Sequence, residues 1–543
     1  MKDPIRPAKV NTPLDLVFHG ARRSRAAGGG RAEPNPYVSV DMHADFRSPA
    51  GRALRLSGFW DGGDVWKVRF TPPEPGLWSY ETGAEGDESL DGLRGSVSVR
   101  QSGRPGFITR DPEYPFAFRR DGAGRVFLMG DTLWNGMSDC GGRLDFPTYA
   151  RLLRIRARQR FNFIRSYVCS FYPEPDTAEH SNRGGPAFEP WHPDRLNPAY
   201  FREADRRIAL ANSLGLAVHL VFGSDMDNLT AFFGWGSGKL ERYIRYCCAR
   251  FGGFGVCWEG RAEYEEQKDT PPGAVPLANA IGRWVESCDP YDHVRSMHTV
   301  RSNNALGGER WLDWIMHQAQ EWDLIVRDRR FGKPVMNEEF YYENSGAGAT
   351  HRHHADADTV RRGAWKVMTA GASGLAYGNT GTLAAQSMPF GGLKHARSPG
   401  ARAMSRLHRF WSRLRFWELA PPGGNGRPAE RSQDMVCTPS PGSGGAAASG
   451  GRQYVAYLEH GGTRSIALPA GRYRRRFYNP RTRSWRIGWK SFATSGEERS
   501  FRAPDSKDWV LCIDSRRHLQ RRRQRRLRAP ERASGGKHDQ RQT

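Results

Sequence analysis

The chain has 543 residues and a formal net charge of +24, from 82 Lys and Arg against 58 Asp and Glu. Hydrophobic residues make up 38% of the chain and aromatic residues 11%, which is enough for large cores and excludes a wholly disordered protein. The absence of any run of about 18 consecutive apolar residues excludes an ordinary membrane-spanning helix.

The first part of the chain is predicted to be a β-sandwich over residues 13–106, after a short tail over 1–12. It contains short β-branched and aromatic runs separated by Gly, Pro and Asp, with the spacing typical of a sandwich; these runs are VSVDMHADF, RALRLSGFW, VWKVRFTP, LWSYETG and GSVSVR. Trp60, Trp66 and Trp78 fall on these runs. We interpret them as packing between two sheets rather than as a platform for sugars.

Residues 107–420 are predicted to form a (β/α)8 barrel, because strand and helix patterns alternate through this region. Eight short apolar runs are separated in most cases by helical segments; they are RVFLMGD, FNFIRSYV, LAVHLVFG, FGVCWEG, VRSMHT, DWIMHQ, PVMNEEF and SGLAYGN. No glycine-rich dinucleotide-binding turn follows the first strand, which favours a barrel over a doubly wound sheet. A functional site is then expected at the carboxyl ends of the strands.

β character returns over 421–515, which predicts a second β-sandwich with a flexible Gly- and Ser-rich loop inside it at 439–451. Residues 516–543 contain 11 Lys and Arg but only 2 Asp and Glu. A segment with so much like charge and so few apolar residues is predicted to be disordered.

Eight cysteines are spread through the chain without metal-type spacing, and we expect buried free thiols in a reduced compartment. The N-terminal sequence has no apolar segment typical of a secretory signal. The sequence therefore predicts a cytoplasmic protein as it stands, or an exported one if its start is truncated. It does not indicate the oligomeric state.

Polar residues end most of the predicted strands. Carboxylates follow strands four and seven, and two carboxyl groups across a barrel mouth are the arrangement that glycoside hydrolysis requires. The strand-four group contains Glu259 and Glu263, and the strand-seven group contains Glu338 and Glu339. Because side chains alternate along a strand, only one of Glu338 and Glu339 is expected to point into the mouth.

The other candidate residues are taken as binding positions for a substrate. They lie at or just beyond predicted strand ends and are Asp131, Trp134, Arg165, His219, His298, His317, Tyr342 and Tyr377. The HRHH run at 351–354 has no second cluster of ligands, so a polar loop is predicted there and no metal or cofactor is expected.

These segments resemble the apiosidase-like barrel family, which is related to glycoside hydrolases with glutamates on strands four and seven. The matching motifs are MGDTLWN, FNFIRSY, WEGRAEYE, KPVMNEEFYYE and GLAYGN. The first block resembles a small β domain that often precedes such barrels, and the last block resembles a β domain named for collagen binding. By this resemblance Glu263 is the acid/base and Glu339 the nucleophile, with Glu338 as the alternative, while Ala262 replaces an Asn common in the clan.

The hypothesis is therefore a soluble, retaining glycoside hydrolase acting on a poly- or oligosaccharide. Two alternatives stay open at this point. One is a carbohydrate-binding protein without catalysis, and the other is a binder of nucleic acid or another anionic polymer through the Arg-rich tail, which we consider the less favoured function.

Overall fold

The computed structural model describes residues 5–21, 35–171, 178–189, 191–223, 231–234, 238–264, 274–318, 320–343, 354–385, 389–421, 436–439 and 453–515. The predicted tail at 516–543, the loop at 440–451 and residues 351–353 of the HRHH run lie outside these ranges. The chain divides into two units, of which the first spans residues 1–418 and the second covers most of the chain after it. The two units are described separately.

The N-terminal domain is a two-sheet β structure. Its elements are β1 (Ile5–Lys9), β2 (Leu14–His19), α1 (Pro36–Ser39), β3 (Asp41–Arg47), β4 (Ala53–Ser57), β5 (Phe59–Trp60), β6 (Val65–Phe70), β7 (Gly76–Glu85) and β8 (Arg94–Arg100). One sheet has the order β1-β8-β7-β3-β4 and the other β2-β6-β5. Trp66 and Trp78 are buried in the core between them, with Trp60 packed against it, so the predicted core role of these tryptophans is confirmed.

The predicted tail over residues 1–12 is wrong for its described part. Strand β1 pairs in parallel with β8, from Ile5 opposite Ser96 to Lys9 opposite Arg100. Most side chains of β1 are exposed, so backbone hydrogen bonds rather than an apolar face hold this edge strand in place. A pattern of hydrophobic residues could not reveal it.

The barrel has eight parallel strands, which confirms the predicted fold class. They are β12 (Leu128–Thr132), β13 (Phe163–Tyr167), β16 (Ala217–Val221), β17 (Val256–Glu259), β18 (Arg295–Ser296), β19 (Ile315–His317), β20 (Val335–Asn337) and β23 (Gly374–Asn379). Their order is β18-β17-β16-β13-β12-β23-β20-β19. The gap between β18 and β19 is bridged by a backbone hydrogen bond of 2.8 Å from Asp313 to Arg295, so the barrel is nearly closed.

Helices and short strands surround this barrel. The helices are α2 (Phe146–Arg158), α3 (Pro198–Ser213), α4 (Lys239–Phe251), α5 (Ala274–Cys288), α6 (Trp322–Asp328), α7 (Ala357–Thr369) and α8 (Pro399–Trp411). The additional strands are β9 (Ile108–Arg110), β10 (Phe118–Arg120), β11 (Gly124–Val126), β14 (Phe188–Glu189), β15 (His192–Leu196), β21 (Tyr342–Glu343) and β22 (His354–Ala355). Asp145, Asn197 and Asp356 cap helices α2, α3 and α7 by accepting hydrogen bonds from backbone N–H groups, which explains where these helices begin.

The second unit is also a β structure. Its strands are β24 (Leu419–Ala420), β25 (Val436–Pro439), β26 (Gln453–Leu458), β27 (Thr463–Ala467), β28 (Gly471–Asn479), β29 (Ser484–Thr494), β30 (Glu498–Arg502) and β31 (Trp509–Ser515). Six of them form the sheet β24-β25-β26-β31-β28-β29, and β27 pairs with β30. Its core contains Tyr454, Phe477, Trp509 and Leu511.

Seven of the eight cysteines lie in described positions as buried free thiols, as predicted. Among the described residues, no helix combines the length and apolar character needed to span a bilayer.

A buried ion network joins the N-terminal domain to the barrel. Arg69 on β6 contacts Asp15 at 2.7 Å and Asp205 on α3 at 2.8 Å. Asp205 also accepts from Arg250 on α4 at 2.7 Å, and Arg250 lies 2.9 Å from Asp61 of the N-terminal domain. Burial would raise the pKa of Asp205, but the charges of Arg250 and Arg69 outweigh it and lower the pKa. Asp205 therefore holds two buried guanidinium groups in place.

Replacing Asp205 with Asn is expected to destabilise the first unit by about 3–5 kcal/mol, because breaking a buried pair leaves uncompensated charge. The midpoint of denaturant unfolding measures this loss. The control is Glu286→Gln on the exposed face of α5, for which we expect a change within about 0.5 kcal/mol. Equal midpoints for both variants would contradict a structural role for the network.

Candidate active site

The barrel gathers polar residues at one end. In a parallel barrel the carboxyl ends of all strands meet at the same rim, and here β13 supplies Arg165, β17 supplies Glu259, and Glu338 and Glu339 directly follow β20. Glu263 lies in the loop after β17, and His298 and Gln318 lie just beyond β18 and β19.

Arg165 is the centre of this cluster. It donates to both carboxylate oxygens of Glu259 at 2.6–2.9 Å, lies 3.4 Å from Glu338 and donates to Glu339 at 3.1 Å. Its side chain is fully buried, and its guanidinium lies 4.5 Å from the centre of the Trp134 ring. Arg165 therefore compensates three buried carboxyl groups at once.

Glu338 and Glu339 both contact Arg165, and the expectation that only one of them points into the mouth stays a prediction. Strand β20 ends at Asn337, and the alternation of side chains ends with it. The backbone N–H of Glu339 is held by the side chain of Asn337 at 3.3 Å, which is consistent with a turn of the chain at this point.

Glu259 and Glu338 form a buried carboxyl pair below the mouth. Burial raises the pKa of both groups, and the charge of Glu338 adds to the shift of Glu259. Trp314 donates to Glu338 at 3.1 Å, and a ring nitrogen of His219 lies 3.8 Å from it. Burial lowers the pKa of His219 to about 3, so its ring is neutral at neutral pH. Burial therefore favours the protonated form of both carboxyl groups.

Glu339 has the opposite electrostatics. Burial would raise its pKa, but a hydrogen bond from His298 and the charges of His298 and Arg165 outweigh burial and lower the pKa to about 2. The hydroxyl of Tyr342 also donates to Glu339. Glu339 is thus ionised at neutral pH although only 4% of its surface is exposed.

Glu263 reaches the same point from the neighbouring loop. One oxygen atom of Glu263, one oxygen of Glu339 and a ring nitrogen of His298 all lie within 4.8 Å of one another. The backbone φ of Glu263 is +43°, a left-handed conformation that is uncommon for a residue with a side chain. Gln318 donates to Glu263 at 2.7 Å, so the carboxyl group is held in a defined orientation.

An aromatic wall lies beside these groups. The rings of Trp134 and Tyr167 stack with centres 4.6 Å apart, and Trp134 also stacks on His298 at 5.4 Å. Tyr167 is partly exposed, and a flat aromatic surface beside polar groups suits a ring-shaped polar ligand.

Three predicted binding residues lie elsewhere. Asp131 pairs with Arg156 of α2 at 2.6 Å, and His317 lies 2.9 Å from Asp328 of α6. The hydroxyl of Tyr377 donates to Glu343 and lies near Ser398. These side chains face the helices rather than the mouth, so we leave them out of the proposed site.

Gln318 was not among the predicted site residues. Side chains two residues apart on a strand lie on the same face. Trp314 and Met316 belong to the core inside the barrel, and Gln318 is the next residue in this series. This series would have placed Gln318 rather than His317 on the interior face of β19.

The described residues include two groups of side chains that could hold a cation. They are His219 with Glu259 and Glu338, and Glu263 with His298 and Glu339. Arg165 already forms ion pairs with Glu259 and Glu339. Its positive charge would repel a metal ion bound to the same carboxylates, which disfavours a metal site here. The absence of a metal from the function stays a prediction.

Solved structures share this architecture. A "putative glycoside hydrolase" from Bacteroides vulgatus is 18% identical with a TM-score of 0.74, and the match covers 94% of this chain and 100% of that one. A glycoside hydrolase family 5 protein from Bacteroides vulgatus is 16% identical with a TM-score of 0.61, over 76% of this chain and 93% of its own. At these identities the likeness shows a common fold. No curated protein matches the sequence.

Two segments of the sequence match known families. Residues 13–85 match a domain of unknown function, DUF5060, and residues 117–418 match the family described as "Apiosidase-like, catalytic domain". The expected likeness of the C-terminal domain to a domain named for collagen binding stays a prediction. Since the second match spans more than half of the 543 residues, the chain belongs to the apiosidase-like family.

Proposed function

We propose that the protein is a retaining glycoside hydrolase that acts on a poly- or oligosaccharide, with Glu339 as nucleophile and Glu263 as acid/base. The observation that carries the proposal is the approach of the two carboxyl groups, whose oxygen atoms come within 4.8 Å of each other. Retaining enzymes keep their carboxyl groups about 5–5.5 Å apart, whereas inverting enzymes leave room for a water molecule at about 6.5–9.5 Å.

The electrostatics support this assignment of roles. A nucleophile must be ionised, and the low pKa of Glu339 keeps it so. Glu338, the alternative nucleophile, is fully buried with a raised pKa and lies against Glu259, which suits a protonated group that supports the site from below.

The reaction would proceed in two displacements. Glu339 attacks the anomeric carbon while the glycosidic C–O bond breaks and Glu263 gives its proton to the departing oxygen. Glu263, now a carboxylate, then takes a proton from water, and the water oxygen attacks the anomeric carbon and releases Glu339. Trp134 and Tyr167 would offer the sugar ring a stacking surface.

The products of cleavage are expected to keep the anomeric configuration of the substrate. The experiment incubates the protein with a panel of aryl glycosides and of plant and microbial polysaccharides, and records proton NMR spectra before the released sugar mutarotates. Glu263→Gln is expected to lose at least about 100-fold in rate, since general acid catalysis contributes about 10²–10⁴-fold.

The exposed Glu286→Gln serves as the control and should cleave like the wild type. Inverted products would contradict the double displacement. Undiminished cleavage by Glu263→Gln would place the acid elsewhere, and binding of a glycan without cleavage by the wild type would favour a carbohydrate-binding protein.

A further inference from the structure

A chain of hydrogen bonds connects the two glutamates of the proposed mechanism. The Nε2 atom of Gln318 donates to Oε1 of Glu263 at 2.7 Å, and Oε1 of Gln318 lies 2.7 Å from Nε2 of His298. The same His298 nitrogen lies 3.3 Å from Oε2 of Glu339. Gln318 and His298 are buried, with 3% and 1% of their surfaces exposed, so this chain is shielded from competing water.

The acceptor atoms determine which group donates in each of these hydrogen bonds. Nε2 of His298 lies 3.3 Å from the Glu339 carboxylate, and since the low pKa of Glu339 keeps this group an acceptor, Nε2 carries a hydrogen atom. The side-chain oxygen of Gln318 must then accept this hydrogen, because the flipped amide would set two donors against each other. The NH2 group of Gln318 is therefore directed at Glu263.

We propose that Gln318 is a positioning residue that determines which oxygen of Glu263 carries the catalytic proton and couples this group through His298 to Glu339. This inference rests on the proposed function. Since Oε1 of Glu263 accepts an N–H group, a proton on that oxygen would oppose the donor, and the proton resides on Oε2. The same N–H group stabilises the carboxylate that Glu263 becomes after it has given up its proton.

The backbone of the loop supports this role. Gly260 and Glu263 have φ angles of +38° and +43°, and a left-handed residue that is not glycine persists only where its surroundings hold it. Gln318 is one such restraint, because it holds the carboxyl group at the far end of the same side chain.

Other charged groups near Glu263 could also affect the pKa of its carboxyl group. In the described part of the chain, Glu339 and His298 are within direct reach, and Arg165 lies behind Glu339 together with the Glu259 and Glu338 pair. The buried Arg261 belongs to the same loop as Glu263. Of these groups, His298 also contacts Gln318, so a shift in a Gln318 variant reports on the hydrogen bonds from Gln318 to Glu263 and to His298 together.

The test uses Gln318→Met, which keeps the length of the side chain and removes its polar atoms. Two aryl glycosides of the sugar that the wild type cleaves are compared, one releasing 2,4-dinitrophenol and the other phenol. Only the phenol needs protonation as it departs. We expect Gln318→Met to slow phenol release at least about tenfold, as a fraction of the 10²–10⁴-fold that acid catalysis supplies, and to change dinitrophenol release much less.

The pH profile gives a second readout. Loss of a donor to a carboxylate makes ionisation of Glu263 harder, so the basic limb of kcat/KM should move to higher pH by about one unit, the equivalent of one charge-assisted hydrogen bond. Gln159→Met is the matched control, because Gln159 binds Arg156 and Ala396 away from the mouth. Equal slowing of both substrates with an unmoved basic limb would overturn the proposal.

A measurement that does not require catalysis distinguishes failure of this proposal from failure of the proposed function. Carbon-13 NMR of the glutamate carboxyl groups, with Glu263→Gln used for assignment, should show Glu263 titrating at higher pH in Gln318→Met than in the wild type. If no glycoside is cleaved but this shift is seen, the proposed function fails while the coupling holds. If cleavage proceeds and the titration does not move, the coupling fails while the proposed function holds.

Discussion

Replacing Glu339 with Gln is expected to lower kcat/KM on an aryl glycoside by at least about 10⁴-fold, because a lost nucleophile removes the covalent route. Replacing Glu338 with Gln should leave kcat/KM within about tenfold, since the costs of substitutions at supporting positions are modest where the shape is kept. The two residues are adjacent in sequence and lie 3.4 Å and 3.1 Å from Arg165, so each variant is the control for the other.

The reason for this difference is the protonation state of each carboxyl group. The pKa of Glu339 is lowered to about 2, so a neutral Gln replaces an ion at that position. Burial raises the pKa of Glu338, and Glu338 accepts from Trp314, so a neutral Gln of the same size is the smaller electrostatic change at that position.

A 2-deoxy-2-fluoro glycoside of the cleaved sugar would supply a direct readout, because it traps the glycosyl ester on the nucleophile. Mass spectrometry of the peptide around residues 333–343 should locate the label on Glu339. A label on Glu338, or a larger loss of rate in Glu338→Gln, would reverse the assignment. Thermal unfolding of both variants checks that a lost activity is not a lost fold.

The barrel could be predicted from the sequence because its strands are short apolar runs separated by amphipathic helices. Which side of the barrel wall each strand side chain faces could not be predicted in the same way. Both faces of a barrel strand are buried, one against the interior and one against the helices, so hydrophobicity does not mark the interior face. Asp131, His317 and Tyr377 end their strands as predicted, yet their side chains pair with the helix layer.

The residues of the interior face can instead be recognised by counting in steps of two along each strand. Phe163, Cys257 and Met336 belong to the interior core, and steps of two from them lead to Arg165, Glu259 and Glu338. Glu339 and Glu263 escape this rule because they lie beyond the last paired residues of β20 and β17. Their positions depend on the local turns of the backbone, which neither periodicity nor composition encodes, and their assignment as the catalytic pair, which the family resemblance suggested, stays a proposal.

Replacing Arg165 with Met is expected to give the largest loss of stability in the barrel. The change leaves Glu259, Glu338 and Glu339 buried without their shared cation, and removal of one partner from a single buried pair already costs about 3–5 kcal/mol. The matched control is Arg156→Met, which removes an equally buried guanidinium that pairs with one carboxylate, Asp131. We expect the Arg165 variant to unfold at a lower midpoint of denaturant than the control.

The pH dependence of the free energy of unfolding should differ between the wild type and the Arg165 variant. In the wild type the folded-state pKa of Glu339 lies below its unfolded value, so its contribution to stability is present above about pH 4.3 and is lost as the pH falls toward 2. Without Arg165, Glu259 and Glu338 lose the charge that opposes burial, so their pKa values, which burial already raises, rise further above the unfolded value. The variant then loses stability as the pH rises from about 4.3 toward neutrality, because the unfolded chain releases protons that the folded one retains.

Unfolding midpoints measured from pH 4 to pH 8 test whether the variant loses more stability than the wild type as the pH rises. The Arg165→Met variant should be most stable near the acid end of the range, where its carboxyl groups are protonated, whereas Arg156→Met should show a smaller slope because only Asp131 has lost its cation. A profile of Arg165→Met parallel to that of the wild type would mean that the carboxyl groups of Glu259, Glu338 and Glu339 reach solvent or another cation. In that case Arg165 would not be the shared cation on which the three carboxyl groups depend.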